Sequence, residues 1–129
     1  MIKKLLNLIN IGTPKVDLIL QNTNIKPGDK ITGYFELKGG WVTHKMSRLE
    51  CDFIREYPGG KPEIIEPVKT LLLSKTLEIN SKTEVPFTYQ LPLDLNLSAA
   101  DDVTYRFRTK LVLIDDIKSM DHDKITIIN

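Results

Sequence analysis

Between residues 103 and 114 the chain reads Val-Thr-Tyr-Arg-Phe-Arg-Thr-Lys-Leu-Val-Leu-Ile, and apolar and polar side chains alternate through most of it. Successive side chains of an extended backbone point to opposite faces, so this pattern specifies a strand with one dry face and one wet face. Val103, Tyr105, Phe107, Leu111 and Leu113 share a row with Thr109, while Arg106, Arg108 and Lys110 occupy the other. A slip of one residue would exchange the rows, so burying the apolar one sets the register of every strand paired alongside. At ~3.3 Å per residue the stretch spans roughly 40 Å, which predicts a bend or bulge and shorter strands pairing along it.

The same period recurs upstream. Val16, Leu18 and Leu20 alternate with Asp17 and Gln21, and Asn22, Asn24, Pro27, Gly28 and Asp29 then supply turn chemistry for a hairpin-like reversal. Ile31, Phe35 and Leu37 fall on one face of the next strand with Gly33, a mid-strand glycine that predicts a large neighbour against bare backbone. Gly39-Gly40 ends it, and Trp41 and Val42 begin the return. Leu49, Cys51 and Phe53 alternate with Arg48, Glu50 and Asp52 in a third strand running to about Tyr57. A loop follows over residues 57–62, and Pro67 stops regular pairing before Val68. Residues 68–79 are strand-rich but untidy, with Leu71, Leu72 and Leu73 consecutive, as beside a bulge or under cover on both faces.

Val85, Phe87, Tyr89 and Leu91 make a clean strand, with Pro86 marking its start or an edge. Residues 98–102 have helix formers for one turn, residues 115–123 read as a loop, and residues 125–128 as the last strand. Seven or more strands with no long helix after the first dozen residues describe an all-β, two-sheet antiparallel β-sandwich.

With 129 residues the chain is read as one domain, residues 1–129. Its net charge of +1 gives no basic footprint for nucleic acid. One cysteine, Cys51, excludes an internal disulfide framework and fits a reducing, cytoplasmic setting. Ile2, Leu5, Leu6 and Ile9 follow helical spacing beside Lys3 and Lys4, which predicts a short amphipathic helix over residues 1–12. Asn7 and Asn10 interrupt the apolar run and no small-residue cleavage site follows, so it does not read as a signal peptide. Two readings stand open for this helix: packing on the body of the domain, or peripheral docking at a membrane surface.

Residues that carry chemistry are few. Asp115, Asp116, Asp121, His122 and Asp123 put hard oxygen ligands and an imidazole on one predicted loop. They lack the glycine and terminal glutamate of a calcium loop and any HExxH spacing, so a solvated acidic turn is expected, and no metal or cofactor is called for. A cation or small ligand on this loop is the lesser alternative. There is no G-x-S-x-G, Walker loop or G-x-G-x-x-G, and Cys51 in an apolar row should be an inert thiol, so the chain reads as a non-enzyme. Arg106, Arg108 and Lys110, about 7 Å apart along one strand face, are the candidate contact for an acidic or phosphorylated partner. The competing expectation is that Glu36, Glu50, Asp52 or Glu56 on neighbouring strands neutralise them.

Lys15-Val16-Asp17, Pro27-Gly28, Gly33, Gly39-Gly40, Pro86-Phe87, Leu91-Pro92-Leu93-Asp94 and Ile125-Thr126-Ile127, in that order and spacing, resemble the sporulation-control protein family (SpoOM) over nearly the whole chain. The resemblance implies an arrestin-like, immunoglobulin-like sandwich in a cytoplasmic bacterial protein that influences sporulation through other proteins and without catalysis. Members of that family run to about two such units, and this chain matches the first, so a homodimer is one way to supply the missing neighbour.

Overall fold

The computed structural model describes residues 12–95 and 102–128. The helix expected over residues 1–12, with Ile2, Lys3, Lys4, Leu5, Leu6 and Ile9, and the single turn expected at residues 98–102 lie outside them but for their last residues. Among the described residues nine strands follow one another: β1 (Lys15–Leu20), β2 (Asn24–Ile25), β3 (Lys30–Lys38), β4 (His44–Glu56), β5 (Glu63–Leu72), β6 (Thr76–Leu77), β7 (Lys82–Gln90), β8 (Thr104–Leu113) and β9 (Lys118–Ile127). They form a three-stranded sheet, β1-β3-β7, and a six-stranded sheet, β2-β9-β8-β4-β5, with β6 joined to β4. Among the described residues the strands form the expected antiparallel two-sheet sandwich, with one short parallel pairing of β2 with β9 at a sheet edge.

β8 is formed by the alternating stretch of residues 103–114. It lies between β4 and β9, with Tyr105, Phe107, Thr109, Leu111 and Leu113 buried. The predicted irregularity sits opposite its end: Met46 pairs with Leu113 and Arg48 with Val112, leaving Ser47 as an extra residue in β4. From the other sheet Phe35 and Phe87 are buried against this row, and Phe87 meets Phe107 edge-on between the sheets. Burying aromatic rings from both inner faces against one another is what joins the two layers.

Several local expectations are corrected. Asn22 to Asp29 do not form a simple hairpin, because β2 leaves the turn to pair with β9 before β3 begins. Trp41 and Val42 belong to the turn before β4 and are exposed. Gly33 faces no large side chain: a Cβ there would run into the carbonyl oxygen of Ile19, so the close neighbour is the backbone of β1. Pro67 does not end β5 but stands at a register shift, where Asp52 pairs with Pro67 and Cys51 with Lys69. A second shift lies between Phe53 and Ile54, and the two bulges let Ile65, Val68 and Leu71 all pack against the core. Leu72 alternates outward rather than lying covered on both faces. Pro86 lies in the middle of β7, at the edge of its sheet, where a missing N–H is tolerated.

The largest correction concerns β9. Residues 115–123 are not one loop: only a tight turn separates β8 from β9, and Asp121, His122 and Asp123 are strand residues. No helix among the described residues is long and apolar enough to cross a membrane.

Candidate functional site

The outer face of the six-stranded sheet is built where β8 lies against β4. Arg106, Arg108 and Lys110 share the face opposite the buried row of β8, and the register sets Asp52 directly beside Arg108 and Glu50 beside Lys110. Arg106 donates from Nη1 to Glu56 Oε2 at 3.0 Å, Arg108 from Nη2 to Asp52 Oδ2 at 3.3 Å, and Lys110 Nζ lies 3.6 Å from Glu50 Oε2. Each candidate partner-binding cation therefore has its own carboxylate one strand away, as opposite charges in cross-strand positions favour. Glu50 is shared, taking Arg48 Nε at 2.5 Å as well, and this bond with the Arg48 and Lys110 charges holds its carboxyl below the usual range. The row is a neutral, paired ribbon. Glu36, the fourth acid considered for these cations, belongs to the other sheet, where it is buried between Lys38 and Lys82 at 3.2 Å each.

The same sheet ends in β5, and among the described residues no strand pairs with its outer side. Ile64 and Leu72 lie on this strand with 53% and 82% of their surfaces exposed. Arg55 of β4 reaches across to Glu63 Oε2 at 2.9 Å, a hydrogen bond that raises the pKa of its guanidinium still further. Toward the other sheet β5 is stitched down: Lys69 Nζ donates to the Pro86 carbonyl at 3.1 Å, and Tyr89 gives its hydroxyl proton to Glu66.

The opposite flank closes differently. Ser119, Asp121, Asp123 and Ile125 alternate along β9, and their register partners Leu111, Thr109, Phe107 and Tyr105 are all buried, so this polar row is on the core side of the sheet. The edge of β1 comes down on it. Val16 N–H donates to Ser119 Oγ at 3.1 Å and Leu18 N–H to Asp121 Oδ2 at 2.8 Å. Asp17, Asp121 and Asp123 each bring an oxygen within 4.8 Å of the others. Burial first, then the Asp121 neighbour, pushes the Asp123 carboxyl up to about 8, and the same two causes raise Asp17.

The acidic group anticipated on one loop is thus divided. His44 Nδ1 lies 3.2 Å from Asp115 Oδ2, His122 points to the exposed face of β9, and Asp121 and Asp123 meet Asp17, a residue no local motif connects to them. Cys51 is buried with Thr109 Oγ1 3.6 Å from its sulfur, and burial pushes the thiol up to about 12, which suits an inert side chain.

A family model described as SpoOM protein matches residues 2–129. The sporulation-control protein spo0M of Bacillus subtilis is 28% identical over 130 residues, covering 95% of this chain and 50% of its own length. The crystal structure of Spo0M from Bacillus subtilis is similar with a TM-score of 0.80 at 26% identity, over 92% of this chain and 51% of that one. A DUF4466 family protein from Parabacteroides merdae shares the fold alone, with a TM-score of 0.52 at 9% identity over 89% of this chain and 45% of its own. The chain spans about half the length of the relatives it matches.

Proposed function

The chain belongs to the SpoOM protein family of sporulation-control proteins, and from that premise we propose that it is a non-catalytic, cytoplasmic regulatory or scaffold module that works by binding another protein through a sheet edge or face. The observation that carries this reading is the outer side of β5, an edge at the end of a six-stranded sheet with two aliphatic side chains exposed on it. Unpaired edge groups are a template for strand addition, in which backbone hydrogen bonds supply affinity and alternate side chains supply specificity. Pro67 and the two bulges confine regular pairing, so the stretch from Lys69 to Leu72 is the natural docking register. Arg106, Arg108 and Lys110, with their carboxylate partners on β4, lie inward of this edge on the same sheet, with β4 between β8 and β5. A second copy of the chain is one partner of this chemistry, since the relatives are about twice as long.

A photo-crosslinking residue at Thr70, exposed on the same strand, is expected to capture a reproducible protein from cells, and Ile64→Lys with Leu72→Lys to abolish the capture without lowering thermal stability. Equal recovery with both variants, or none with either, overturns the reading. Flotation with anionic liposomes, with and without residues 1–12, separates it from membrane docking: loss of flotation on deletion favours the membrane.

A further inference from the structure

Beside the Ser119 hydroxyl, the contact between β1 and β9 gathers three acids, Asp17, Asp121 and Asp123. Among the described residues none of Asp17, Asp121 and Asp123 is in an ion pair within 4.0 Å, although oxygens of all three lie within 4.8 Å of one another. Oδ2 of Asp123 is buried and has no hydrogen-bond partner among the described residues. The surrounding elements do not supply the missing charge. β1 contributes Asp17; β3 contributes Glu36 and Lys38, which are 3.2 Å from each other; β4 contributes the Cys51 thiol; β8 contributes neutral Phe107 and Thr109 in register with Asp123 and Asp121. Lys38, the one cation of this group, acts on Asp17.

Ionised carboxylates at such distances, two of them partly buried and only the exposed Asp17 felt by a lysine, repel one another, and taking up one proton turns a repulsion into an O–H to carboxylate hydrogen bond. Asp121 must meanwhile stay an acceptor, because Leu18 N–H points at its Oδ2. We propose that a proton shared by Asp17, Asp121 and Asp123 is the latch that fastens the edge of β1 to β9, so that alkaline conditions loosen this flank of the sandwich. The raised values at Asp123 and Asp17 agree with that arrangement. Between the ordinary aspartate value of 3.8 and about 8 the folded chain then holds a proton the unfolded chain has lost, so stability falls as pH rises through this window and levels off above it. What loosens first is the pair of N–H groups at Val16 and Leu18.

The test compares the full chain with Asp123→Asn, whose amide keeps the size of the side chain and can donate to Asp121 without a titrating proton. Relative to this variant, the unfolding constant of the wild type is expected to rise by up to ~10-fold per pH unit between pH 6 and 8. Amide exchange at Leu18, corrected for its intrinsic pH dependence, should lose protection over the same range in the wild type alone. Identical pH slopes for the two proteins overturn the proposal. Carbon-13 titration of the wild-type carboxyls decides independently of any variant: an aspartate inflection between pH 6 and 9 supports the latch, and inflections all below pH 5 refute it. Saturable stabilisation by Ca²⁺ or Mg²⁺ at pH 6.5 also refutes it, by replacing the proton with a metal.

Discussion

The ring of Phe87 stands edge-on to that of Phe107, with centroids 5.3 Å apart and planes at 77°, and this pair spans the interior between the two sheets. Phe107 also meets Phe53 at 5.3 Å and Tyr89 at 5.7 Å, so one ring touches three aromatics on two other strands, β4 and β7. Phe107→Ala should cost about 3–5 kcal/mol, because the surrounding rings cannot collapse into the space without parting the sheets. Combining Phe87→Leu with Phe107→Leu in a double-mutant cycle should give a coupling of about 0.5–1.5 kcal/mol. Urea unfolding of the four proteins measures both, and strictly additive losses would show that the edge-on contact adds nothing beyond burial.

On the flank, the carboxylate of Asp121 is the acceptor for an edge amide that would otherwise face only the seam. Asp121→Ala should destabilise by about 1–2 kcal/mol, the loss of a charge-assisted bond being partly offset by relief of Asp123. Asp121→Asn keeps an acceptor for Leu18 N–H and should lie closer to wild type. Chemical denaturation at pH 6 checks the order, and equal stability of the two neutral variants would mean that only the charge and not the hydrogen bond matters.

What could be read from the chain beforehand followed the hydrophobic period. β8, β3 and β7 announced themselves because Phe107, Phe35 and Phe87 sit in clean alternating rows that the core then swallowed. β5 was blurred because its bulges put Ile65, Val68 and Leu71 inward at uneven spacing. The first part of β9, up to Asp123, reads as a loop because its core-facing row is Ser119, Asp121 and Asp123, polar residues that serve the edge of β1 rather than the oily interior. Inward acids are one way a sheet protects an edge, and they erase the signal that marks a strand. The neutralised ribbon was legible as an alternative because opposite charges recur at matching parity in β4 and β8. The meeting of Asp17 with Asp121 was not, since it depends on how two sheets close.

Cys51 offers a chemical probe of the core. With the thiol buried and raised to about 12, almost none of it is thiolate at pH 8, and thiolate is the reactive form. Ellman's reagent should leave the folded protein unmodified for hours and titrate one thiol within seconds in denaturant. Prompt stoichiometric labelling of the native protein would contradict the packing of β4 against β8.

The acid limb of stability should report on the three-stranded sheet through Glu36. Burial pushes its carboxyl up, yet hydrogen bonds from Lys38 and Lys82 outweigh that and hold it below its ordinary value of 4.5. A depressed folded value stabilises at pH above the unfolded one and is lost as pH falls through the folded one. Glu36→Gln should therefore be less stable than wild type at pH 7, with the gap in urea midpoint narrowing steadily below pH 4.5. Lys82→Met should narrow the same gap by removing one of the two donors, while Lys38→Met takes away a cation that acts on Asp17 and so should also steepen the alkaline loss at the β1 flank. A constant midpoint gap from pH 7 to pH 3 would mean that the lysines hold Glu36 no better folded than unfolded.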